Sequence, residues 1–175
     1  MTTPGSVTGE RADLIAALGQ ARHFLRVPTQ GLTDEQARQR TTVSELCLGG
    51  LIKHVTEMER SWTEFIRSGP SAMPDFDAMA EDDYAEFANG FRLLDGETLD
   101  GVLKEYAEVA QRTDDLIATL PDLGVDHPLP KAPWFEPGAR WSARRVLAQI
   151  IAETAQHAGH ADILRESLDG TKSMG

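Results

Sequence analysis

The chain has 175 residues, 41% of them hydrophobic and 26% charged, enough for one soluble domain with a sizeable core. Its net charge of −11 excludes a general nucleic-acid binder, which needs a basic surface for the phosphates, and disfavours adhesion to anionic membranes. Cys47 is the single cysteine and leaves no intrachain disulfide; no stretch approaches the roughly 18–20 apolar residues of a membrane span, and the opening MTTPGSVTGE lacks the basic and apolar regions of a secretory signal, so a reduced, cytoplasmic protein is expected.

Residues 1–8 are expected to be disordered. The first long helix is predicted over Glu10 to Arg26, where Leu14, Leu18, Ala21 and Leu25 recur at three- and four-residue spacing, and Pro28 stops it. GLTDEQARQR reads as a short helical turn with Thr33 as its cap. The second long helix is predicted to start near Thr42 or Ser44, since Thr42 with Glu45 fits a capping box. It runs to about Arg67, before Gly69-Pro70. Gly49-Gly50 inside it costs roughly 1 kcal/mol per glycine relative to alanine; close approach of a neighbouring helix would explain the pair, and a break there is the alternative.

The next segment looks irregular, with a short helix expected over EDDYAEFANGFRLL (residues 81–94). A third long helix is predicted from Glu97 to Leu120, with Leu99, Val102, Leu103, Tyr106, Val109 and Leu116 as its apolar stripe. Residues 121–140 form a long proline-rich loop, of a length that is often functional in compact domains. The fourth long helix is predicted from Ser142, its N-cap, to Leu168, with Gly170 as the stop signal. No strand pattern appears. Four long amphipathic helices with unequal connections predict a single all-α domain over residues 1–175, a four-helix bundle with at least one crossover.

On the fourth helix, wheel projection at ~100° per residue puts His157 near 40° and His160 near −20° from Glu153, on the arc of Ala143, Val146, Ile150 and Leu164. Burying an ionised carboxylate without a partner costs several kcal/mol, on the order of a fold's margin, so something must compensate. On the second helix the stripe of Cys47, Leu51, Met58 and Phe65 also contains His54. Each histidine alone reads as a core imidazole bonded to backbone or to Glu153. Together, Glu153 and His157 one turn apart, with His54 across the core, form an N,N,O set on one side of a divalent cation. Positions stay open for water or substrate, as in catalytic zinc and non-haem iron sites. His160 is a fourth ligand, a pocket acid/base or a rim histidine; catalysis is the role assigned to it here. Cys47, two turns from His54 on an apolar stripe, reads as inert packing. Trp62 and Trp141 read as packing at the bundle ends, Trp134-Phe135 as a candidate lid, and AEDDYAEF as a solvated acidic face.

The stretch from Trp141 to Glu166, W-S-x-R-x-V-L followed by E-T-x-x-H-A-G-H-A-D-I-L-R-E, resembles the C-terminal signature of the bacterial mini-circle protein family. LCLGGLIKHVTEMERSWTEF resembles that family's second helix. The family belongs to the DinB-like metalloprotein superfamily and is similar to mycothiol-dependent maleylpyruvate isomerases and thiol S-transferases. The resemblance implies a bundle of up-down-down-up topology. It also implies a divalent metal on His54, Glu153 and His157, zinc first, with nickel, iron or manganese also suited to such a set. Where many superfamily members read H-R-G-Q, this chain reads His157-Ala158-Gly159-His160, which puts His160 in the glutamine slot.

The implied activity is metal-dependent detoxification: a bound thiol is activated and attacks a small electrophile, in S-transfer or isomerisation. Mycothiol is the natural cosubstrate in GC-rich bacteria, and the arginine bias agrees: of 17 basic residues only Lys53, Lys104, Lys131 and Lys172 are lysine. The alternatives are a metal-dependent hydrolase and a non-catalytic metal-binding stress protein. The expected partners are the small thiol and electrophile, with a homodimer left open.

Overall fold

The computed structural model describes residues 7–73 and 88–173, and they are mostly helical. Helix α1 spans Glu10–Arg26 and buries Leu18, Ala21 and Leu25. Pro28 sits in the 3-10 turn Val27–Thr29 that ends it. The short α2, Asp34–Arg38, is capped by Thr33, whose side chain accepts from Gln36 N while the Gln36 side chain accepts from Thr33 N, the reciprocal box that satisfies two orphan donors.

Helix α3, Leu48–Ser68, starts later than the Thr42–Glu45 box predicts, with Cys47 at its N-cap. The hydroxyls upstream are used locally: Thr42 Oγ1 accepts from Ser44 N and Ser44 Oγ from Leu46 N, both at 3.2 Å. Such turns compete with helix for the same backbone donors, and Glu45 pairs with Arg40 instead of reaching back to Thr42. Helix α4, Leu99–Thr119, is capped by Thr98, whose side chain accepts from Gly101 N. The short helix expected over residues 81–94 falls, in its first half, outside the described residues, as does most of the expected disorder at residues 1–8.

Two three-residue strands, β1 (Asp126–Pro128) and β2 (Arg140–Ser142), pair antiparallel where no strand was expected. They are too short to carry an alternation, and tertiary contacts hold the ribbon: His127 Nε2 lies 3.2 Å from the Ile66 carbonyl at the end of α3. Helix α5, Ala143–Asp169, opens on Ser142, which accepts from Arg145 N, and closes on Gly170 at φ 80, a left-handed cap that glycine takes without penalty.

Helices α1 and α5 lie side by side, α5 also packs on α3, α3 on α4, and α4 on α1. Near the helix starts Glu10 pairs with Arg144, and near the ends Arg165 donates to the Pro28 and Gln30 carbonyls. So α1 and α5 run in the same sense. Thr41, ahead of α3, donates to the Leu164 carbonyl at 3.1 Å, whereas Trp62 late in α3 stacks on Trp141 just before α5; α3 runs opposite to α5. Lys53–Glu97 and Arg60–Glu105 align α4 with α3.

One continuous core of Leu18, Leu25, Leu51, Val55, Phe65, Ile117, Val146, Ile150 and Leu164, among others, fills the space between the four helices. An ion pair crosses it. Arg22 on α1 bonds both oxygens of Glu59 on α3 and reaches Asp114 on α4 at 2.8 Å. Burial opposes the Arg22 charge, yet Glu59 and then Asp114 outweigh it and hold the guanidinium protonated. No described helix is long and apolar enough to cross a membrane.

Candidate metal centre

The second turn of α3 and the middle of α5 bring two imidazoles together. The His54 and His157 rings meet edge to face, centroids 4.8 Å apart at 78°. His160, one turn further along α5, places its Nδ1 3.4 Å from His157 Nδ1. The Phe91 ring stacks on the opposite face of His54 at 4.0 Å and 22°.

All three histidines and Glu153 are half-buried. The fully buried positions of α5 are Ala143, Val146, Leu147, Ile150, Thr154, Ala158, Ala161 and Leu164, and their mean direction lies roughly 75° round the wheel from Glu153 at ~100° per residue. Glu153 and His160 therefore flank the core stripe, while His157, at ~40° on the same wheel, falls within it between Val146 and Ile150. Half-burial lowers the cost of carrying them.

Glu153 does not join the histidines. Its Oε1 accepts from Gln149 Nε2 at 2.8 Å, one turn back on the same helix. Among the described residues no three His, Cys, Asp or Glu side chains form a group able to hold a metal ion. The imidazole pair is assembled, and the carboxylate is parked one turn away on a neutral amide. Gln149 has no distinguishing signal in the sequence, because a glutamine at i−4 from a glutamate is a common helix pair.

The protonation of the pair suits coordination. Burial pushes the His54 imidazole down to about 4, with the nearby His157 acting in the same direction. Burial, then His160, lowers His157. Both rings are neutral at neutral pH, and a neutral imidazole keeps the lone pair that a metal needs. The two imidazole nitrogens suit a divalent cation in their chemistry, and the Glu153 carboxylate lies one turn away on Gln149.

The same shift makes stability pH-dependent in the metal-free protein. An unfolded His54 titrates near 6.5 and the folded one near 4, so as pH falls through that window the unfolded state takes up the proton first. The contribution is fully present above about pH 6.5 and is lost toward about pH 4. Its size is on the order of 2–3 kcal/mol. Urea titrations of metal-free protein should show this loss between about pH 7.5 and about pH 4.5, and His54→Gln should flatten it. An equal pH dependence in that variant would contradict the assignment.

The other aromatics gather elsewhere. Trp62 stacks on Trp141 at 5.1 Å, and Phe135 from the proline-rich loop meets Trp62 at 6.5 Å and Trp141 at 5.6 Å. Trp134 is 61% exposed. Trp62 lies eight residues after His54, about 12 Å along α3, so the described contacts set this loop against the far aromatic end and not over the histidines. Cys47 is buried at the N-cap of α3.

Residues 13–170 match the family model described as Mycothiol-S-transferase. The curated proteins contain no match to the chain.

Proposed function

Because the chain belongs to the mycothiol S-transferase family, we propose that it uses a divalent metal to transfer the sulfur of mycothiol, or a closely similar small thiol, to a small electrophile in the cytoplasm. The observation that carries the reading is the His54–His157 pair, held neutral and in ring contact across two helices. We read the four long helices as a DinB-like bundle of up-down-down-up topology; the parallel pairing of α1 with α5 and of α3 with α4 supports it.

His54 and His157 would hold the ion, most simply zinc, with Glu153 released from Gln149 as the third donor. When bound, the ion supplies the positive charge that lowers a thiol's pKa toward neutrality. His160, 3.4 Å from His157 between Nδ1 atoms, would take the thiol proton or fix the His157 ring, the part that an outer partner plays for a ligating histidine. The sulfur forms its bond to the electrophilic carbon, and the leaving group departs with the displaced electron pair.

Zinc-loaded protein incubated with mycothiol, bacillithiol or glutathione and a chlorinated bimane should consume mycothiol well above the uncatalysed rate and the other thiols less. Consumption at the uncatalysed rate with every thiol, in protein that carries the metal, would leave a binding protein and contradict the transferase reading.

A further inference from the structure

Gly49-Gly50 lies in the first turn of α3, and neither glycine has a positive φ, so backbone torsion does not demand them. Space does. A Cβ on Gly50 would sit 1.9 Å from the Phe91 carbonyl oxygen, 2.4 Å from its carbon and 2.9 Å from Arg92 N. All three are backbone atoms, which no rotamer change can move aside. A Cβ on Gly49 would meet the Leu93 side chain, Cδ2 at 2.9 Å, a flexible group that can yield. The partner that Gly50 admits is therefore the backbone of Phe91 and Arg92, while Gly49 also faces the Ala37 carbonyl of the short helix α2.

That seat has a consequence one turn on. His54 is four residues after Gly50 and so shares its helix face. The chain crossing Gly50 carries the Phe91 ring onto His54, in stacked contact at 4.0 Å and 22°. An imidazole's second torsion is broad and roughly two-fold, so a histidine with a free face could present its nitrogens in many planes. Here Phe91 covers the face of His54 while His157 meets it edge-on at 4.8 Å. The ring is left one plane.

We propose that Phe91 is a positioning residue for His54, seated by the close backbone approach that Gly50 alone permits, and that this contact sets how well His54 binds the metal. The inference rests on the metal reading above. Neither residue offers a donor to a metal, so the effect passes through the orientation of the His54 ring.

The test uses the full chain with zinc and cobalt(II) as probes. Phe91→Ala should weaken zinc binding, measured by competition with a chelator, by roughly 10–100-fold, the usual cost of losing an outer partner of a metal ligand. It should also shift the visible spectrum of the cobalt protein. Phe91→Tyr should restore both. Gly50→Ala should act in the same direction as Phe91→Ala, and Gly49→Ala much less. Should Gly50→Ala fail to fold, Phe91→Leu keeps the apolar volume, loses the flat face and should still lower affinity.

Wild-type zinc affinity and an unchanged cobalt spectrum in Phe91→Ala and Phe91→Leu, with binding lost in His54→Ala, would overturn this inference alone. A wild-type chain that takes up neither metal would overturn the metal reading and this inference with it.

Discussion

Glu59→Ala is expected to destabilise the fold by about 3–5 kcal/mol, the usual cost of leaving one member of a buried ion pair uncompensated. Glu59 is 0% exposed and Arg22 5%, and the carboxylate accepts from two nitrogens of the guanidinium. Its removal leaves Arg22 with Asp114, which is partly open to solvent, and with the Ala110 carbonyl at 3.3 Å. A guanidinium cannot escape by losing its proton. Urea unfolding at neutral pH measures the effect. Removing both charges, in Arg22→Met with Glu59→Leu, should recover most of the loss, since apolar replacements of a buried pair are often neutral or better. A Glu59→Ala variant within about 1 kcal/mol of wild type, the range of an exposed pair, would show that the pair is not desolvated in solution.

His157→Ala is expected to abolish metal binding and thiol transfer together. His157 touches both neighbours, His54 by ring contact and His160 through Nδ1, so in the proposed site its loss would remove a ligand and disperse the rest. Loss of an outer partner alone costs roughly 10–100-fold in affinity, and loss of a ligand should exceed that. His54→Ala should behave alike. His160→Ala should separate the two functions, keeping the metal while turnover falls by roughly 100-fold or more, as for removal of a general acid or base. Equal metal content in wild type, His54→Ala and His157→Ala would end the site hypothesis. Loss of metal in His160→Ala would instead make His160 a ligand.

The parts of the fold that were legible in the sequence are those governed by local rules. Thr33 and Ser142 cap their helices and Gly170 ends α5 as their chemistry predicts. The start of α3 was misread because Thr42 and Ser44 satisfy a capping pattern and an alternative turn equally well, and only the surrounding chain decides between them. The β1–β2 ribbon has no local signature at three residues per strand. Neither Arg22 nor Glu59 stands out as a motif in the sequence, although Leu18 and Leu25 lie at −4 and +3 from Arg22 and Val55 and Trp62 at the same offsets from Glu59. Such flanking by buried residues marks the centre of an apolar face.

At the site, spacing singled out His54, Glu153, His157 and His160. It could not show that Glu153 and His160 flank the stripe, that Gln149 holds Glu153, or that Phe91 covers His54. The last of these depends on elements far apart in sequence. The glycine pair is legible as a close approach, and Gly49 does face the Ala37 carbonyl of α2, but the Phe91–Arg92 backbone over Gly50 has no local signature.

The most direct measurement of the central claim is the ultraviolet thiolate absorption of mycothiol mixed with the protein at neutral pH, with and without zinc. One thiolate per zinc, absent without metal and absent in His157→Ala, is the predicted result. Thiolate no greater than that of mycothiol alone in buffer, in protein shown to hold zinc, would contradict it.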